Sequence, residues 1–406
     1  MRILHIDETF HTQYGYHTSP ISKVQSLNEN HEVFILTVPA DNLYPVYKEF
    51  GDTTPVEEIL KYDKDFEKKY KVNIIRVPIR GYISNRAIHK KNVFKVINDI
   101  NPDIIYCHNV ETLMAIRLIL RKQKYPVIFD SHMLTMASKN KLAKAYNKLY
   151  RLLISKKLNK RNNIVIRTQD DPYVINTLGI KEENAPFISF GTDKTLFYDN
   201  KTKKEEIRKK LSIGTNDFVI IYTGKLTEAK GGQILADAIL EKFDCGNYEN
   251  IVFLIVGNTI GEYGKKVEET FGFSENKIIR FPAQKYTDLP EFYQVSDLAV
   301  FARECSLSFY DVQGAGLPVI SEDNNVNVER CSHDNGINFI QGSSSDLHDK
   351  IQSLIMLPKN DFEQMKMNSI NFIEKGYSYE QVTKQYSELL SKTYLKWISE
   401  YKNVKN

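Results

Sequence analysis

Two kinds of segment alternate along this chain, and the alternation limits the fold more than any other feature. Short, almost continuously apolar runs are separated by helix-length amphipathic stretches. In the first half the runs are Arg2–Ile6, Val33–Val38, Asn73–Val77, Asp103–Cys107, Val127–Asp130 and Ile164–Arg167. In the second half they are Phe218–Thr223, Ile251–Gly257, Ile278–Phe281, Leu298–Phe301 and Pro318–Ser321. Unbroken Val/Ile/Leu runs mark strands buried on both faces, and helices between them imply crossover connections in a parallel sheet. The pattern predicts an α/β chain with two Rossmann-like, doubly wound domains in tandem, which 406 residues can supply.

The boundary is expected between about 191 and 215. Gly191 to Asn200 carries no strand or helix periodicity, and Lys201 to Lys210 is densely charged. The division is placed at residues 1–195 and 196–385. Tyr379 to Tyr401 reads as a long amphipathic helix with Leu389, Leu390, Tyr394 and Trp397 on one face, and its part from about 386 to 406 is expected to pack back on the first domain. Lys and Arg exceed Asp and Glu by 55 to 51, too even a balance for a chain built mainly to bind polyanions. Cys107, Cys245, Cys305 and Cys331 form no CxxC pair, so neither a zinc knuckle nor a disulfide framework is indicated. Asp7 and Glu8 cut short the first apolar run, and the longest strongly apolar run, Ile251–Gly257, is far below the ~18 residues of a membrane span. The expected location is cytoplasmic, peripheral on the inner face of the cell membrane.

Ligands of open α/β sheets bind beyond the carboxyl ends of the strands. Two segments there carry chemistry. In Tyr222-Thr-Gly-Lys-Leu-Thr-Glu-Ala-Lys-Gly231 a strand ends, Gly224 turns the chain, and Lys225 and Lys230 precede a helix opening at Gly231. Two cations beside a helix start suit a diphosphate; the plainer reading is a solvated loop. In Arg303-Glu-Cys-Ser-Leu-Ser-Phe-Tyr-Asp311, Glu304 and Asp311 flank the exposed amides of Ser306, Leu307 and Ser308, an arrangement suited to a polyhydroxylated ligand. The plainer readings are a surface charge at Glu304 and a first-turn acid at Asp311.

These segments, with Leu-Ile-Val-Gly257, Leu-Pro-Glu-Phe-Tyr-Gln-Val-Ser-Asp297, Gly-Leu-Pro-Val-Ile320 and Asp334-Asn-Gly336, resemble the donor-binding domain of a family 4 glycosyltransferase over roughly residues 215–385. The first half is similar in outline, through Gly15-Tyr16, Asp130-Ser131-His132, Gly191-Thr192-Asp193 and Phe197. The resemblance implies the GT-B fold, with two Rossmann-like domains facing across a cleft. It also implies retaining transfer of a sugar from a nucleoside-diphosphate donor to an acceptor hydroxyl; a UDP-sugar is the expected donor on frequency alone, and a lipid-linked glycan in cell-surface polysaccharide synthesis the expected acceptor. By position it places Lys225 and Lys230 on the donor diphosphate, Asp311 on the ribose, the amides of Ser306 to Ser308 on the donor, and His132 and Glu304 on the sugar. Gly15 would let a loop approach the phosphates. One departure is visible: an ungapped alignment puts Arg303, not Glu304, at the first acidic position, and Asp311 stands where glutamate is usual.

No HxH or HExxH spacing occurs among the nine histidines, so no metal is expected, and no cofactor beyond the sugar-nucleotide co-substrate. His108 follows a strand and reads as a loop histidine bonded to backbone. From Ser131 to Gln169 there is no acid but ten Lys or Arg. Within it Leu142, Tyr146, Leu149 and Leu153 are expected to face the core. Lys141, Lys144, Lys148 and Arg151 lie roughly opposite, as a contact for an anionic membrane or for the acceptor. Two rivals stand beside a transferase: a non-catalytic nucleotide- or glycan-binding partner of one, and a nucleotide-sugar epimerase. No Gly-x-Gly-x-x-Gly follows the first strand, which argues against a dehydrogenase.

Overall fold

The computed structural model describes residues 1–13, 17–45, 47, 53–135, 141–303 and 305–405. The chain divides into two compact units, Met1–Phe190 with Tyr379–Asn406, and Gly191–Ser378.

The first unit holds a parallel sheet of β1 (Arg2–Ile6), β2 (Glu32–Thr37), β3 (Val72–Arg76), β6 (Ile104–Cys107), β7 (Val127–Ser131) and β8 (Val165–Arg167), in the order β3-β2-β1-β6-β7-β8. Between β3 and β6 lies an antiparallel hairpin, β4 (Ile79–Ile83) and β5 (Arg86–His89). The second unit repeats the plan with β9 (Phe218–Thr223), β10 (Ile251–Val256), β11 (Lys277–Phe281), β12 (Leu298–Phe301), β13 (Val319–Glu322) and β14 (Gly336–Phe339), ordered β11-β10-β9-β12-β13-β14. Central strands are apolar on both faces because helices cover both: β6 and β10 are buried at every position.

Each sheet reverses its strand order once, between β1 and β6 and between β9 and β12. Connections leave these neighbours in opposite directions, so their carboxyl ends open a crevice that no crossover fills. Register brings His5 opposite Tyr106 in the first unit and Ala299 opposite Ile221 in the second. The C-terminal helix, Tyr379–Lys405, belongs to the first unit. It buries Tyr379, Val382, Tyr386 and Leu390 in one cluster with Ile3, Ile104, Tyr106 and Ile128. Among the described residues, no helix is long and apolar enough to cross a membrane.

Candidate functional site

In the second unit the loop after β9 is held by backbone. Gly224 N donates to Val256 O and Leu226 N to Asn258 O, so the β9 and β10 loops run together. A Cβ on Gly257 would lie 1.8 Å from Gly224 O, an approach only glycine permits. A short 3-10 turn, Glu228–Lys230, then leads through Gly231 into the helix Gly232–Ala238. Gly231 has φ +71°, and a Cβ there would meet Ala302 O at 2.6 Å, which packs this turn against the end of β12. Lys225 and Lys230 are thereby placed at the reversal point. Tyr222, almost fully buried, bridges their backbone: its hydroxyl lies 3.2 Å from the carbonyl oxygens of both. Sequence alone made Tyr222 only a strand residue.

From β12 a third cation enters the same neighbourhood. Arg303 Nη1 donates to Glu228 O at 3.0 Å, and its guanidinium is 3.7 Å from the Glu228 carboxylate. Glu304, the other candidate for this position, lies outside the described residues, as does Gly15. The Ser306–Ser308 loop is fixed from two sides. Arg330 Nη1 donates to Ser306 O at 3.1 Å, and Ser306 Oγ accepts from Ser308 N at 3.3 Å. Leu307 caps the helix that Ser308 opens. The Ser308 amide is thus turned toward its own loop rather than outward.

Asp311 does not serve the helix dipole at the surface. It is buried, and its Oδ1 accepts from Thr192 Oγ1 at 2.7 Å and Tyr286 OH at 3.2 Å. Burial pushes its carboxyl up to about 7 against these two bonds. The acid ties the segment after Gly191 to the helix Ser308–Gly314, and this interior position was not legible from its first-turn location.

The first unit fills its reversal point differently. The histidines looked scattered, but His5 on β1, His17 at a helix start, His108 after β6 and His132 after β7 converge around Asp130. Asp130 is fully buried; Oδ2 accepts from Tyr106 OH at 2.7 Å and His108 Nδ1 at 2.9 Å, and Oδ1 from the Asn109 amide at 2.6 Å. Burial opposes its charge, but His132, His108 and His17 hold the carboxylate far below its usual range. Burial would likewise strip a proton from His108; Asp130 outweighs it and raises the ring. His5 is pushed down to about 3 by burial and by His108.

One protonation pattern satisfies this row. His108, as imidazolium, donates to Asp130 and, from Nε2, to His5 Nδ1 at 3.0 Å. His5 Nε2 then donates to Gln25 Oε1 at 2.7 Å, and Gln25 Nε2 reaches Ser387 Oγ on the C-terminal helix at 3.3 Å. His108 is therefore a buried ion-paired group, not the backbone-bonded loop histidine expected. His132 is the accessible member: its side chain is 36% exposed, and Nδ1 sits 2.8 Å from Thr168 Oγ1. His17, His108 and Asp130 bring possible ligand atoms within 4.8 Å of one another, the sole such metal-capable group among the described residues. Both Asp130 oxygens already accept protein hydrogen bonds, so the three fit a metal poorly.

The basic helix Lys141–Tyr150 corrects another expectation. Leu149 and Leu153 are exposed by 55% and 54%, as is Leu152 by 54%. The buried stripe is Tyr150, Ile154 and Leu158, with Tyr146 half-buried above it. A spacing of four drifts around an α-helix, but a π turn at Arg151–Ser155 underwinds the chain and keeps the stripe inward. Lys144, Lys148 and Arg151 are exposed beside the leucines rather than opposite them, and Lys141 opens the helix.

Residues 203–372 match the family model of glycosyl transferases group 1, and residues 56–168 match that of glycosyl transferase 4-like domains. No curated protein matches the sequence. Among solved structures, Anabaena HepE in complex with UDP and glucose superposes with a TM-score of 0.72 at 17% identity, covering 97% of this chain and 100% of that one. Sucrose-phosphate synthase from Thermosynechococcus elongatus superposes with a TM-score of 0.71 at 14% identity, covering 97% and 99%. WaaG, a glycosyltransferase involved in lipopolysaccharide biosynthesis, gives 0.63 at 13% identity, covering 96% and 99%. With glycosyltransferase models matched in both halves and the fold of these structures, the chain is a glycosyltransferase of the GT-B fold.

Proposed function

We propose that this glycosyltransferase is a retaining, family 4 hexosyltransferase that moves a sugar from a UDP-sugar to a hydroxyl of a lipid-linked glycan in cell-surface polysaccharide synthesis. The observation that carries the donor side is the loop after β9, where one buried hydroxyl bridges the backbone of Lys225 and Lys230 and Arg303 joins them. Breaking a glycosidic bond leaves charge on the departing diphosphate, and fixed cations that meet that charge lower the barrier most. Lys225 and Lys230 take this role. His132, accessible and oriented by Thr168, acts on the sugar with Glu304; Asp311 and the loop Ser306–Ser308 shape the nucleotide side, and Gly15 the phosphate side. The uridine preference draws support from Anabaena HepE, crystallised with UDP and glucose, and the pathway from WaaG.

The test is thermal-shift titration with nucleoside diphosphates and their sugars. A shift selective for UDP and one UDP-sugar, lost in Lys225→Gln with Lys230→Gln, supports the donor assignment. A selective shift that survives both substitutions removes the lysines from the site. The ungapped alignment, which puts Arg303 in place of Glu304 at the first acidic position, favours a second reading, a non-catalytic nucleotide-binding partner of a transferase. That reading predicts the same shift but no transfer to any acceptor and no slow hydrolysis of the donor.

A further inference from the structure

Beside the amino ends of β7 and β8, the C-terminal helix leaves a groove that neither reversal point uses. It measures about 420 Å³, and Lys122, Lys160, Arg161, Asn162, Thr393 and Trp397 are on its lining. His132 follows the carboxyl end of β7, so the groove is at the opposite end of the sheet. Its floor is built. Asn163, 7% exposed, donates from Nδ2 to Val127 O at 3.1 Å, and its Oδ1 accepts from Gln123 Nε2 at 3.3 Å. Arg161 is held in place, with Nη1 donating to Ile119 O at 2.7 Å and Nη2 to Arg121 O at 2.9 Å. The wall comes from one face of the C-terminal helix: Thr393, Lys396, Trp397 and Glu400 recur at i, i+3, i+4 and i+7. The core stripe of that helix closes with Leu390 and Tyr394, and Trp397, half-buried one turn on, lines the groove instead. Among the described residues, the sole acid on the lining is Glu400, 4.0 Å from Lys396 on its own helix, which leaves Lys122, Lys160 and Arg161 in excess.

We propose that this groove is a glycan-holding site, separate from the transfer site, that takes a short acidic oligosaccharide. A sugar ring has a face of C–H bonds and an edge of hydroxyls. The indole of Trp397 covers the first, and the Asn162 amide and Thr393 hydroxyl meet the second. The surplus cations select negative charge on the ligand, and Arg161, already fixed by two carbonyls, supplies its charge with little further ordering. A bare phosphate would meet the cations but leave the indole uncovered. A nucleic-acid strand is bound along a cationic track with successive stacking platforms, whereas here one indole stands in one recess of small-ligand size. The proposal goes beyond the donor assignment, because the groove is remote from His132 and depends on no nucleotide and on no transfer step.

Trp397 is its own reporter, because it is the only tryptophan of the chain. The experiment titrates the purified full chain, without nucleotide, with tetragalacturonic acid, neutral maltotetraose and inorganic phosphate, and follows tryptophan emission. The acidic tetrasaccharide is expected to change the emission saturably, with an affinity that falls as salt rises. Maltotetraose should bind roughly tenfold more weakly, and phosphate should leave the emission unchanged. Lys122→Gln with Lys160→Gln, both exposed, should weaken binding of the acidic ligand roughly fivefold. Trp397→Leu, followed by calorimetry, should weaken it roughly tenfold. Circular dichroism and thermal melting establish that each variant is folded. Absence of a saturable response to the acidic tetrasaccharide at low salt overturns the proposal, as does wild-type affinity in the lysine variant. So do equal binding of maltotetraose, an equal response to phosphate, and tighter calorimetric binding of an oligothymidylate, which would give the groove to nucleic acid. Donor binding, read separately by thermal shift with UDP, should be unchanged in both variants.

Discussion

The two sheets share one topology and reverse at the same place, yet the crevices hold opposite chemistry. At β1/β6 the charges face each other: Asp130 is buried among four histidines, Tyr106 and Asn109, and its charge is cancelled internally by His108. At β9/β12 Lys225, Lys230 and Arg303 gather on a loop whose geometry is set by backbone and by one tyrosine hydroxyl. Position in a fold therefore says where a ligand is met but not what is met there. A buried balanced cluster holds a shape and presents one group, His132. The loop at β9/β12 instead collects cations, with Glu228 beside Arg303.

The largest effect should come from unbalancing the buried cluster. Asp130→Asn leaves His108 without its partner in an enclosed setting and should cost about 3–5 kcal/mol, read as a fall in the urea midpoint. Lys225→Gln should leave that midpoint within about 0.5 kcal/mol, as for an ordinary loop position. Equal losses in the two variants would erase the contrast between the crevices. Next, Lys230→Ala should lower turnover with a UDP-sugar by roughly 10²–10³-fold, as for loss of one group that meets developing charge, while melting stays near wild type. Near-normal transfer by that variant would put the diphosphate elsewhere.

The third effect tests whether the cation-rich domain also hides a neutral acid. Asp311 rises from an ordinary 3.8 to about 7, so the folded chain keeps it protonated up to that pH while the unfolded chain ionises it above about 4. The unfolded state then binds fewer protons, and this contribution to stability is full below pH ~4 and is lost as pH rises toward 7, at up to about 1.4 kcal/mol per pH unit. Asp311→Asn, which can still accept from Thr192 and Tyr286, should flatten the stability profile between those limits. A slope unchanged in the variant would mean that Asp311 is ionised in the fold.

How much of this was legible depended on whether the signal was local. The buried strands were, because Val/Ile runs such as Ile251–Val256 have no other stable use between helices. The hairpin β4–β5 escaped, since Arg80, Arg86 and His89 dilute its apolar pattern and its turn rests on Ser84 and Asn85 with φ of 47° and 59°. Strand β14 escaped as four residues beginning with glycine. Lys225 and Lys230 were legible because they lie only five positions apart. The cluster of His5, His17, His108 and His132 spans more than a hundred residues, and only strand order assembles it. The leucine face was misread for a different reason: a helical wheel assumes α geometry throughout, and one π turn rotates the stripe.

The smallest expected effect is at Tyr222, and it asks what organises the cation loop. Tyr222→Phe removes a hydroxyl lying between the carbonyls of Lys225 and Lys230 and changes no charge. It should cost about 1 kcal/mol in stability, the usual value of a hydrogen bond. If the hydroxyl only satisfies buried carbonyls, nucleotide affinity will stay at the wild-type value. If it sets the spacing of the two lysines, calorimetric titration with UDP should show weaker binding by several-fold. Rising salt should then weaken the variant and the wild type in parallel, because the charges are the same and only their placement has changed. A salt dependence that differs between the two would instead mean that the substitution has taken a lysine out of the site.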